Sequence, residues 1–139
     1  MKSTCNRVIA AIAMTAALLS GCAVQGEPYP RMSVPTQKGV IYVYRLPGFV
    51  GGGVAPNVTC GSIENGLGPG GYHPYVEDPG VITCSAHTEA TSTVDVEVKP
   101  GQEYYVKEEI GIGFFIGRPH LSVVDPELGH SEIQQCKQQ

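Results

Sequence analysis

Ser92-Thr93-Val94-Asp95-Val96-Glu97-Val98-Lys99 is the stretch whose alternation sets the fold class. Three valines alternate with Thr93, Asp95, Glu97 and Lys99, the period of a strand with one buried and one wet face. Pro100-Gly101 then turns the chain. Beyond it Tyr104, Val106 and Ile110 continue an inward face, Tyr105, Lys107 and Glu109 are expected to face out, and Leu121 with Val123 repeats the pattern after Pro119. Upstream, Val40-Ile41-Tyr42-Val43-Tyr44 is apolar on both faces, as in a central strand, and Leu46-Pro47-Gly48 ends it. Shorter strands are predicted over Asn57 to Ile63, Tyr72 to Val76 and Val81 to Ala86, with Glu64-Asn65-Gly66 and Asp78-Pro79-Gly80 as turns. Six or seven such strands predict an all-β fold, a small antiparallel sandwich of the Ig-like or transthyretin-like type. Ser131 to Cys136 fits a last strand or a helical turn equally well.

The chain of 139 residues allows one modest domain. With 42% hydrophobic residues it is neither a disordered acidic chain nor collagen-like, while 18 Gly and 11 Pro point to many turns and little helix. Thirteen acidic against nine basic side chains, a formal charge of −4, leave no basic patch for nucleic acid.

The beginning of the chain reads as an address. Lys2 and Arg7 make a positive start, and Val8 to Leu19 is an uncharged run of twelve residues. A bilayer span needs about 20 apolar residues, so the run predicts a cleaved export signal over residues 1–21. Leu19-Ser20-Gly21-Cys22 resembles the lipobox of bacterial lipoproteins, with cleavage between Gly21 and Cys22 and diacylglycerol on the Cys22 thiol. Each buried CH₂ adds about 0.8 kcal/mol, so two or three acyl chains anchor such a protein stably without spanning the membrane. Ala23 after the cysteine is not an Asp retention signal, which implies the periplasmic face of the outer membrane. Losing Lys2 and Arg7 would leave 7 basic against 13 acidic side chains, a charge of −6. The acyl anchor, not electrostatics, would then hold the protein at an anionic membrane. Residues 22–37 carry Pro28, Pro30 and Pro35 and read as a flexible tether, which at ~3.1 Å per residue spans roughly 45 Å. The sandwich domain is expected over 38–139.

Four segments then carry a resemblance: Ile41-Tyr42-Val43-Tyr44-Arg45, Ala86-His87-Thr88-Glu89-Ala90, Pro100-Gly101-Gln102-Glu103-Tyr104-Tyr105-Val106 and Gly117-Arg118-Pro119-His120-Leu121. In order and spacing they resemble the bacterial lipoproteins carrying domain of unknown function 2846, over about residues 39–136. Asp78-Pro79-Gly80 before a strand is also similar to PEGA-type surface modules, which are small β-sandwiches. The resemblance implies an extracytoplasmic β-sandwich and no catalytic residues, since the family has no established activity. Gly-rich text at Gly51 to Gly53 and Gly66 to Gly71 departs from it and implies a looser second strand and turn.

Export places the domain in a disulfide-permissive compartment. Cys60, Cys84 and Cys136 remain after the signal and the lipidated cysteine. Cys84 lies between Ile82 and Ala86 on an inward face and Cys60 shares a face with Val58, so these two are the preferred pair. Cys136 is then free, an intermolecular partner, or the true mate of one of them. His73, His87, His120 and His130 show no metal-ligand spacing, and Cys84 and His87 fall on opposite faces of a strand. No nucleophile elbow and no phosphate loop is present. No cofactor and no metal are expected.

Glu108 shares the parity of Tyr104, Val106 and Ile110, so its carboxylate points inward. Either Arg45 or Arg118 pairs it, a bulge turns it outward, or it is an acid with a raised pKa. Ile112, Phe114, Phe115 and Ile116 stand among glycines in a loop between two strands, followed by Arg118 before Pro119. Such residues are costly to leave in water. They either fold back to plug one end of the sandwich, as small sandwiches commonly do, or form an interaction loop for a partner or membrane. The sequence thus predicts a non-catalytic interaction or structural module, in contact with a membrane through its lipid and with an envelope protein. The alternative is an envelope enzyme or small-ligand or glycan binder using a face of Glu108, Arg118 and His120.

Overall fold

The computed structural model describes Tyr29 and residues 32–139, so the export signal, Gly21 and Cys22 lie outside the described residues. Nine strands and a helix follow in order: β1 (Gly39–Tyr44), β2 (Asn57–Cys60), β3 (Ile63–Gly66), β4 (Gly71–Glu77), β5 (Gly80–His87), β6 (Thr91–Val98), β7 (Glu103–Gly111), β8 (Arg118–Val124), α1 (Pro126–Ile133) and β9 (Lys137–Gln138). They form a β-sandwich of two sheets, one of order β8-β7-β1-β4-β9 and one of order β3-β2-β5-β6.

Between the sheets lie Ile41, Val43, Tyr75, Val106 and Leu121 from the first and Val58, Cys60, Cys84, Ala86, Val96 and Val98 from the second. The alternation of β6 meets this core as expected. The outer face of the larger sheet is covered as well. Val40, Tyr42, Tyr44, Tyr72 and Tyr105 pack there against Ile133 and Cys136, with Tyr29 and Val34 added from the N-terminal side. That second cover is why β1 is apolar on both faces.

Several expectations change. Among the described residues the strands number nine rather than six or seven, because Asn57 to Ile63 breaks at Gly61-Ser62 into a hairpin, and Glu64-Asn65-Gly66 continues β3 opposite Asn57 instead of turning. The sheets are not wholly antiparallel: β1 runs parallel to β7 and β4 parallel to β9. Tyr105, expected in water, is buried by α1. Val123, on edge strand β8, is exposed although Leu121 is buried. The C-terminal segment resolves as a helix, started by Asp125, whose carboxylate accepts from the Glu127 N–H at 2.9 Å ahead of Pro126 at the first turn. Within the stretch expected as a flexible tether, Tyr29 packs edge-on against Tyr42 and Tyr72, and the Met32 N–H donates to the Tyr42 hydroxyl at 3.2 Å. Edge strand β8 does not present its backbone freely, since the Leu121 N–H donates to Ser92 Oγ at 2.9 Å.

Candidate functional site

Because β1 and β7 are parallel, the loops that leave their C-terminal ends emerge at the same end of the sandwich. One is residues 45–56, the other 112–117. Neither loop folds back, so the end-plug expectation for Phe114 and Phe115 is overturned. Phe49 is 99% exposed, Ile112 94%, Phe115 87% and Phe114 81%, with Val50 and Ile116 also in water. The end of the sandwich has another cover, described below, and the aromatic loop is left free. An open hollow of about 590 Å³ lies between the two loops, lined by Val50, Val54, Ile110, Ile112, Phe115 and Ile116.

The 112–117 loop is nevertheless held in one shape. Glu89, in the turn between β5 and β6, reaches it with both oxygens. Oε1 accepts from the Phe114 N–H at 2.7 Å, and Oε2 from Phe115 at 3.0 Å and Ile116 at 3.2 Å. Arg118 Nε donates to Oε1 at 3.3 Å, and Thr88 Oγ1 donates to the Gly117 carbonyl at 2.6 Å. The Phe115 and Ile116 N–H groups, followed by Phe114 and Arg118, hold the Glu89 carboxyl down at about 2. A Cβ at Gly113 would collide with the Ile116 carbonyl and the Glu89 carboxylate, so only glycine permits this turn. Phe114 and Phe115 stand edge to face, 4.6 Å between ring centres.

The cover over this end of the core is Arg45. Inward by the parity of Ile41 and Val43, its guanidinium donates from Nη1 to the Val54 carbonyl at 2.7 Å and from Nη2 to Gly51 at 2.7 Å and Val50 at 3.4 Å. Beneath it lies Glu108, 1% exposed, with neither carboxylate oxygen hydrogen-bonded among the described residues. Burial pushes the Glu108 carboxyl up to about 7, against the pull of the Arg45 charge. Arg45 does not cancel the burial because its donors are committed to loop carbonyls. Glu108 lines a recess of about 180 Å³ with Arg45, Leu46, Val50, Lys107 and Glu109.

Glu108, Arg118 and His120 do not form one face. In the β7–β8 register Glu108 stands opposite Leu121, inward, whereas His120 stands opposite Glu109 and Arg118 opposite Gly111, outward. Arg118 is the partner of Glu89, not of Glu108. Cys60 and Cys84 are joined by a disulfide between directly paired positions of β2 and β5. Cys136 is free and buried, its Sγ 3.3 Å from the Arg45 carbonyl, and burial pushes its thiol up to about 12. A thiol so placed is not a nucleophile at neutral pH. No group of three His, Cys, Asp or Glu among the described residues could hold a metal ion.

Sequence reading picked out Phe114, Phe115, Ile116 and Arg118 but missed Glu89, Phe49 and Val50. A glutamate in a short turn carries no local signature, and its role arises from contact with residues 25 to 29 positions later. Phe49 and Val50 lie in an uncharged Gly- and Pro-rich stretch after the end of the first strand, with no period to mark them. The turn around Glu89 and the segment around Arg118 meet at this tip. No protein-family model matches the chain, and no curated protein matches it.

Proposed function

We propose that the chain is a lipid-anchored cell-envelope protein, similar to the lipoproteins carrying domain of unknown function 2846, whose sandwich binds a partner and performs no catalysis. The address rests on Leu19-Ser20-Gly21-Cys22 behind a twelve-residue apolar run, with the lipid on Cys22 and the periplasmic face of the outer membrane as the site. The Cys60–Cys84 bridge suits an oxidising compartment. One observation carries the binding role: a carboxylate and an arginine hold three large apolar residues outward at the tip. Contiguous exposed apolar surface of this kind marks interaction sites.

Growth with an alkyne-bearing palmitate tests the anchor. The expected result is label on the wild-type protein and none on Cys22→Ala, which moves to the soluble fraction. Unlabelled wild-type protein in the same cells refutes the anchored reading.

A further inference from the structure

We propose that the tip made by residues 48–54 and 112–117 inserts into the interfacial layer of a lipid bilayer, giving the domain a second membrane contact beside its acyl anchor. For the reach of the chain the inference rests on the anchored reading, whereas the tip's affinity for lipid does not.

The first argument is composition. Residues 47–56 and 111–117 contain no Asp, Glu, Lys, Arg or His, whereas 16% of the whole chain is charged. Their exposed side chains include three phenylalanines and two isoleucines, and the two loops emerge side by side. A bilayer interface rewards apolar area of this kind and tolerates aromatic rings at head-group depth.

The second argument concerns the backbone. Apolar surroundings penalise every unpaired N–H and C=O, and a loop can enter lipid only if these groups are satisfied from within. Here the groups at the turn of each loop are. The N–H groups of Phe114, Phe115 and Ile116 bind Glu89, and the Gly117 carbonyl receives Thr88. In the other loop the Gly52 N–H donates to Phe49 O and the Val54 N–H to Gly51 O, while Arg45 occupies the carbonyls of Val50, Gly51 and Val54. Glu89 and Arg118 offset each other's charge at the base of the tip, where the apolar surface ends.

The third argument is reach. Seven residues separate Cys22 from Tyr29 and span at most about 25 Å. Tyr29 packs beside Tyr42, and its hydroxyl is 3.3 Å from that of Tyr105. From Tyr105 to Gly111 strand β7 rises about 20 Å toward the tip. The reach between anchor and docked tyrosine thus matches the rise of β7, so acyl chains and tip can share one membrane when the strands are tilted from the membrane normal.

The test uses intact purified protein in vesicles of zwitterionic phosphatidylcholine and phosphatidylethanolamine with acyl chains brominated near the glycerol. An environment-sensitive fluorophore is attached through Phe115→Cys, through Phe49→Cys in a second preparation, and through Glu97→Cys at the opposite end as control. Mass spectrometry of the N-terminal peptide reports separately whether Cys22 is acylated. Quenching at least fivefold greater at positions 115 and 49 than at 97 is expected, and is expected to be lost when Phe114→Ser and Ile112→Ser are added. Acylated protein with no such contrast overturns the tip inference and leaves the anchored reading standing. Unacylated protein that still shows the contrast overturns the anchored reading and leaves tip insertion. Equal, weak quenching at all three positions, together with a discrete protein adduct from a photoreactive residue at position 115 in the native envelope, assigns the tip to a protein and also overturns it.

Discussion

At the scale of single residues Glu108 carries a measurable signature. Its carboxyl is buried under the Arg45 cap without a hydrogen bond from the described residues, and its pKa is raised from 4.5 to about 7. The folded state therefore holds a proton that the unfolded chain releases above about pH 4.5. The associated stability is complete below that value, falls as pH rises to about 7, and is flat beyond. A shift of this size corresponds to up to about 3 kcal/mol. Glu108→Gln is expected to flatten the stability curve between pH 5 and 8 and to exceed the wild type at pH 8 by about 1–2 kcal/mol, measured by urea unfolding. Parallel curves for the two proteins would remove Glu108 as the source. Glu89 has the opposite sign. Its carboxyl is lowered to about 2, so its contribution holds above about pH 4.5 and is lost as pH falls toward 2. Glu89→Ala should speed amide hydrogen exchange at Phe114, Phe115 and Ile116 at neutral pH and leave the exchange of β1 unchanged. Parity alone revealed that Glu108 points inward. That Arg45 rather than Arg118 stands over it depends on which sheet end each loop closes.

Among the elements, α1 is the one the sequence pattern left open between strand and helix. Its packing hinges on a glycine: a Cβ at Gly129 would overlap the Cβ and Cγ of Tyr105. The backbone of the helix thus lies directly on the tyrosine face of β7. Gly129→Ala improves helix propensity by about 1 kcal/mol, yet overpacking costs about 1–3 kcal/mol, so a net loss of stability is expected in thermal melts. An unchanged or raised melting temperature would mean that the helix is not seated on Tyr105. Lys107 and Tyr44 fasten the same helix through Glu132, at 3.0 Å and 2.5 Å. None of these contacts is local in sequence. Asp125-Pro126-Glu127 does hold a readable helix start, but the apolar residues behind it, Leu128 and Ile133, show no clear helical period. The strands were easier, since alternation in β6 and double-sided apolarity in β1 reflect covers that lie directly above and below them.

For the molecule as a whole, the Cys60–Cys84 bridge acts on the unfolded chain, closing a loop of 24 residues across β2 and β5. Its removal by Cys60→Ala with Cys84→Ala is expected to cost about 3 kcal/mol by the chain-entropy argument, seen as a lower urea midpoint with the buried Cys136 thiol still unreactive in the native state. Labelling of Cys136 in the folded double variant would show that the C-terminal cover had come away. Period-two patterning, β-branched composition and cysteine parity were enough to establish the all-β class, the central strand and the preferred disulfide, because burial on a strand is written at alternate positions. The nine-strand count, the parallel pairing of β1 with β7, and the convergence of Glu89, Arg118 and the two apolar loops were not written there. They depend on which strands become neighbours, a choice set by long-range packing between segments tens of residues apart. The exposed aromatic loop shows the difference most plainly. Its composition marked it as unusual, but whether it plugged the sandwich or stood in solvent is visible only in the folded molecule, where Arg45 covers the end of the core and the loop is left outside.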